Sequence, residues 1–403
     1  MSTAHILHVD SLQRTVNTKK KFISAGLGHT VAVLEQGDIV TFGTAKQFQL
    51  GLDFIKEKER RNGKTEADLG DPVDRHSPQV VPALKATGDK MANAAAGSSH
   101  SLAVSAAGHV YAWGSGAFGK LGLGDDANVR IPRQVDFKRK RIARVSCGPD
   151  HSAAVSEAGE VLTWGAGSYG NLGHGDNTDI ATPKLVEALL GKQCISVSCG
   201  AKHTLTLTSA GGVFSWGYGG GGRLGCGDTR GLFRPKLVRL SPSPPLPCSL
   251  AAALVYPFLP NVSLTHLESC SSNQVEFLKE HPILLIATGE SHSMAVTVER
   301  GQCYTWGVGD YGKLGHGDTT PQLLPRHLEY FRQSQLTWAS GGTFHSAGCS
   351  DQGTLYTWGG GTYGKLGQQD MMNSLTPRPC KNVTAGVYFV QVSRHRQAQA
   401  KQA

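Results

Sequence analysis

One spacing, repeated six times, constrains this 403-residue chain more than its composition does. In SCGPDHSAAVSEAGEVLTWGAGSYGNLGHGD (Ser146 to Asp176), the Trp of a Trp-Gly pair follows the His by thirteen residues, and a Leu-Gly pair begins eight residues later. The same order follows His29, His100, His203, His292 and His345. The aromatics are Trp113, Trp164, Trp216, Trp306 and Trp358, with Phe42 in the first copy, and the gap widens to fourteen after His292. Successive histidines lie 51, 52 or 53 residues apart, apart from steps of 71 before His100 and 89 before His292. Self-similarity at such a period marks a repeat architecture, so no residue is read as a site before its copies have been compared.

Each copy reads as short strands and turns. HSAAVSEAGEVLTWG holds two β-type runs joined by Glu157-Ala158-Gly159, a hairpin signal, and SAAGHVYAWG and SDQGTLYTWG repeat it. The GxGxYGxLGxGD that follows has too much glycine for a helix and suits a tight turn with left-handed backbone. Asp126, Asp176, Asp228 and Asp318 are expected to close that turn by capping its N–H groups. About fifty residues of strands and turns, repeated radially, describe a β-propeller blade.

Repetition also decides which residues carry chemistry. A catalytic His is expected once; one present in all six copies is a packing residue, expected to satisfy its polar atoms on backbone groups. The six cannot converge on one metal ion. The nine cysteines form no Cys-x-x-Cys pair, and Cys147 and Cys199 stand at matching positions that call for a small buried side chain. No catalytic constellation, phosphate loop or metal spacing survives the comparison, so neither an enzyme nor a cofactor or metal site is expected.

Charge leaves two candidates. Lys and Arg outnumber Asp and Glu by 40 to 31, and Arg130 to Arg144 holds seven basic residues against Asp136. Its core, Lys138, Arg139, Lys140 and Arg141, is either a solvated loop or a patch for nucleic acid, an acidic protein or an anionic lipid. No aromatic-rich motif accompanies it, so nucleic acid or chromatin is not the expected ligand. The residue before each Leu-Gly is Gln49, Lys120, Asn171, Arg223, Lys313 or Lys365, four of them basic. Radial symmetry puts these at one height, as tolerant exposed turn positions or as a basic rim for an acidic protein surface.

Repeats on CGxxHT…WG.g.yGqLG.Gd resemble those of the regulator of chromosome condensation family, a resemblance that runs from about Phe22 to Ser393. It implies a seven-bladed propeller. WGVGDYGKLGHGD (Trp306 to Asp318) looks most like the copies inside giant HECT-type ubiquitin ligases. Nothing in the 403 residues resembles a HECT domain, so ligase activity is not implied. The founding member is an exchange factor for the GTPase Ran, with functional acids in the loop between Gly and His of certain repeats. Asp150 and Glu290 are the acids at those places here. The exchange factor's wedge insertion past the Trp-Gly has no counterpart, nor have the loop tryptophans of the family's plant ultraviolet receptor.

The expected architecture is all-β, a propeller of six complete blades and an incomplete seventh that starts near Val392. Residues 1–20 form an N-terminal segment and a candidate ring-closing strand, 21–393 the propeller, and 394–403 a tail. Loop insertions are expected at about 53–78 and 241–282, the latter poorly ordered. The expected function is a non-enzymatic protein-interaction module, with nucleotide exchange on a Ran-like GTPase as the alternative. With no leader and no apolar stretch long enough for a bilayer, a monomer of the cytoplasm, extending to the nucleus, is expected.

Overall fold

The hairpin signal at Glu157-Ala158-Gly159 does its work through one glycine. In the computed structural model Gly159 takes φ +79° and donates its N–H to the Ser156 carbonyl at 3.0 Å. That joins strand His151–Ser156 to strand Val161–Gly165 with His151 opposite Gly165. Strand Ile142–Cys147 pairs on one side and Ile180–Leu185 on the other, completing a four-stranded antiparallel meander. The described residues are 20–52, 73–238, 282–298, 300–332 and 334–380.

Among the described residues six such sheets form, spanning residues 20–80, 91–135, 142–185, 194–238, 283–327 and 336–379. The first strands of successive blades touch one another, which sets them around a common axis. In the first five blades the second strand is buried along its whole length, and in the second to fifth a neighbouring blade packs on each side. Such strands carry small and apolar residues without alternation, as in HSAAVS. The fourth strands lie at the outside and alternate, as in Ile180–Leu185.

The expected 53–78 insertion overlaps a strand of the first blade, and its residues 53–72 lie outside the described residues. Arg75–Val80 forms the fourth strand of the first blade and takes the last residues of the 53–78 stretch. Its charged RHSP run suits an outer edge that faces water. The 241–282 insertion, the seventh repeat near Val392, and the terminal segments fall outside the described residues, except Pro282 and Lys20, which opens the first strand.

The turn after each Trp-Gly is built from left-handed backbone. Three aromatics occupy equivalent places in it, Phe118 and Tyr311 at φ 61° and Tyr363 at 64°. That region costs an L-residue roughly 1–2 kcal/mol. The fourth blade has Gly221 there, at φ +70°. Its turn closes with the same bond, Gly225 N–H to the Gly222 carbonyl at 2.9 Å, as Gly122 N–H makes to Gly119.

Candidate functional site

Among the described residues, the loop before the repeat His of the second to sixth blades meets the glycine turn of the preceding blade, and the repeat residues make that joint. Nε2 of His29, His100, His151, His203 and His292 lies 2.8 to 3.0 Å from a hydroxyl of the next blade: Ser101, Ser152, Thr204, Ser293 and Ser346. Each hydroxyl donates its own hydrogen to the carbonyl of the residue before a Leu-Gly, for example Ser152 to Lys120 at 2.8 Å. The ring nitrogen must therefore be the donor, so Nε2 carries a proton, and burial, which lowers the pKa of each ring, keeps it neutral. The five Nδ1 atoms have no hydrogen-bond partner, which costs least for a bare lone pair. The expected backbone partners are replaced by hydroxyls, because the next blade's second strand comes between ring and carbonyl.

Tryptophan completes the joint. Trp164 Nε1 donates to the same Lys120 carbonyl at 3.0 Å, and Trp113, Trp216, Trp306 and Trp358 do likewise on Gln49, Asn171, Arg223 and Lys313. One carbonyl thus takes two bonds from the next blade. These side chains tie each blade to the next. The glycine three residues before His151 follows from it: a Cβ on Gly148 would lie 2.7 Å from the His151 ring and from the Gly200 carbonyl. Gly148→Ala is expected to destabilise by about 1–3 kcal/mol in chemical denaturation, through overpacking of groups that cannot move.

The basic positions before Leu-Gly are not an exposed rim. Lys120, Arg223 and Lys313 are between 2% and 8% exposed; Lys365 is half-buried. Lys120 Nζ contacts Asp150 Oδ1 at 3.0 Å and donates to the Pro149 carbonyl. Arg223 donates to the Gly220 and Glu290 carbonyls, and Lys313 to Ser291 Oγ at 2.8 Å. The turn's backbone faces the next blade so closely that these chains fold into the joint. Exchanging all four would disturb packing as well as charge.

What the face exposes is aromatic and cationic. Lys202 Nζ stands 4.2 Å from the Tyr169 ring centre and donates to its hydroxyl at 2.9 Å, while Tyr218 packs edge-on against Tyr169 at 5.5 Å. Lys365 Nζ lies 5.3 Å from the Phe344 ring, which meets Tyr311 edge-on at 5.2 Å. Burial pushes the Lys365 and Lys313 ammoniums and the Arg223 guanidinium below their ordinary pKa values. Of the two loop acids, Asp150 is engaged by Lys120 and Glu290 is exposed. Sequence reasoning missed Lys202, Tyr218 and Phe344, which differ from their counterparts in other repeats; that difference was the available signal.

The basic segment lies at the opposite, hairpin end of its blade. Lys140 pairs with Glu160 at 2.7 Å and Arg141 with Glu157 at 3.2 Å, while Lys138 and Arg139 are exposed on left-handed backbone. A cleft of about 410 Å³ opens there beside His109, Gln134, Phe137 and Arg139. The turn-closing acid of that blade is Asp125, which accepts from Ala127 N–H at 3.0 Å; the expected Asp126 is one residue out of register. Asp176, Asp228 and Asp318 cap as expected. Burial pushes the Cys199 thiol up to about 12, consistent with packing. Among the described residues no three His, Cys, Asp or Glu side chains gather as a metal site, and no helix is long and apolar enough to cross a membrane.

Comparison with known proteins agrees with this architecture. Human HERC2, an E3 ubiquitin-protein ligase, is 34% identical over 348 residues, which is 86% of this chain and 6% of that protein. The Arabidopsis thaliana ultraviolet-B receptor UVR8 is 32% identical over 362 residues, 89% of this chain and 69% of the receptor. The chain thus spans a small fraction of the ligase. Among solved structures, human WBSCR16 superposes with a TM-score of 0.70 at 19% identity, covering 91% of this chain and 82% of that one. Prp20p of Saccharomyces cerevisiae gives 0.68 at 22%, covering 91% and 77%. The RCC1-like domain matches residues 5–253, and the regulator of chromosome condensation (RCC1) repeat matches 300–349 and 352–396. The chain, in which no HECT domain is evident, is therefore a β-propeller of the RCC1-like domain family.

Proposed function

We propose that this chain is a non-enzymatic protein-interaction module that docks an acidic partner surface on the face carrying the Gly-x-x-His loops. One observation carries the reading: Lys202 and Lys365 sit on aromatic rings of that face, and no carboxylate pairs with either among the described residues. A partner's carboxylates would supply the missing counter-charge. The family supports the general role, since UVR8 is a receptor and Prp20p, which shares the fold, binds Gsp1p and histones. Exchange on a Ran-like GTPase gains no comparable support, because Asp150 is held by Lys120 and Glu290 stands as a single exposed acid.

The joint Lys202→Gln and Lys365→Gln variant is expected to keep its melting temperature and to associate more slowly with the main partner recovered by affinity purification. The slowing is largest at low ionic strength and fades as the Debye length shrinks to about 10 Å near 0.1 M salt and below. Unchanged association in that variant, together with its loss when Lys138 to Arg141 become Gln, would move the docking site to the basic segment.

A further inference from the structure

The aromatics of the glycine turns are not demanded by the fold. Phe118, Tyr311 and Tyr363 hold left-handed backbone, where a bulky side chain is least at ease, and Gly221 builds the same turn in the fourth blade without one. Burial does not compensate for the backbone either: Phe118, Tyr311 and Tyr363 are 47% to 63% exposed, and Tyr169, at the equivalent place without a positive φ, is 40% exposed. Phe118 and Tyr363 have no ring partner among the described residues. A strained position that keeps a large apolar side chain in water, in three of the six copies, has a use outside the folded chain.

These side chains share a face with the cations described above. Tyr169 touches Lys202, and Tyr311 touches Phe344, over which Lys365 stands. Exposed rings and two cations without a carboxylate partner among the described residues therefore share this face. Resting on the acidic-partner reading, we propose that Phe118, Tyr169, Tyr311 and Tyr363 receive the apolar side chains of an acidic partner segment whose carboxylates reach Lys202 and Lys365. The occupant is a protein segment that mixes carboxylates with aromatic or aliphatic residues, and the aromatics supply affinity where the cations supply attraction.

Three soluble polymers test this: poly-glutamate, a random glutamate–tyrosine copolymer of similar length, and an oligo(dT) strand. The full chain is expected to bind the copolymer about tenfold more tightly than poly-glutamate. Phe118→Gly, Tyr311→Gly and Tyr363→Gly together erase that difference, leave poly-glutamate binding as it was, and do not lower the melting temperature, since glycine relaxes the backbone. Phe118→Asn, which tolerates the same backbone, is the second variant should the triple change fail to fold, and it is expected to reduce the copolymer's advantage alone. Lys202→Gln with Lys365→Gln weakens both acidic polymers. Equal binding of the two acidic polymers by the unmodified chain overturns the aromatic inference and spares the acidic-partner reading. Binding of neither sinks that reading itself. Oligo(dT) binding as tight as the copolymer's overturns the choice of a protein segment in favour of a single strand stacked on the same rings.

Discussion

Lowering the pH from 7.5 to 5 is expected to unfold this protein. Burial pushes the pKa of His29 and His292 from 6.5 to about 3 and that of His151 and His345 to about 4, and drives His100 and His203 well below 6.5. Depressed folded values mean that the neutral rings stabilise fully above pH 6.5, and that this contribution is lost as the pH falls from there toward 3 to 4. Below about pH 6 each unfolded chain binds one more proton per histidine than the folded one, at about 1.4 kcal/mol per pH unit each. Six such groups give a slope on the order of 8 kcal/mol per pH unit, against a domain stability of roughly 5–15 kcal/mol. Urea midpoints at pH 7.5, 6.5, 5.5 and 5 measure the slope, and His151→Gln is expected to reduce it by one proton. A midpoint constant across this range would mean that the rings are charged or wet in the folded state.

Trp164→Ala is expected to destabilise by about 3–5 kcal/mol, the range for deleting a large buried aromatic. Trp164 is 0% exposed, meets Phe137 edge-on at 5.5 Å, and gives the Lys120 carbonyl one of its two hydrogen bonds from the next blade. Trp164→Phe separates these contributions. It keeps most of the volume, leaves the carbonyl its Ser152 bond, and is expected to cost about 0.5–1.5 kcal/mol, the usual net value of one hydrogen bond. The first blade already carries Phe42 at this place, so the ring without its N–H is compatible with a blade. Denaturant midpoints with unchanged m-values measure both variants. Equal losses for Phe and Ala would make the hydrogen bond, not the filled volume, the main term.

The architecture was legible because repetition multiplies a weak signal. A single His-to-Trp spacing says little, whereas six copies at a nearly constant period leave one class of fold, and the hairpin at Glu157-Ala158-Gly159 formed where its turn chemistry put it. The same comparison marked His151 and Trp164 as scaffold. It failed where local identity depends on register: Asp126 was read for Asp125 because two acids stand side by side, and the strand at Arg75 was lost inside a charged stretch.

The position before Leu-Gly shows the boundary between sequence and tertiary structure most clearly. Spacing along the chain makes Lys120, Arg223, Lys313 and Lys365 equivalent. Which way their side chains go was decided by the next blade. Its hydroxyl and indole draw the Lys120 carbonyl inward, and the loop acid at Asp150 draws the ammonium after it, across thirty residues of chain. Lys202 and Lys365 are half-buried and lie against aromatic rings of the same face, Tyr169 and Phe344. Spacing fixes which residues are alike; contacts between blades, which no spacing encodes, decide which of them meet water.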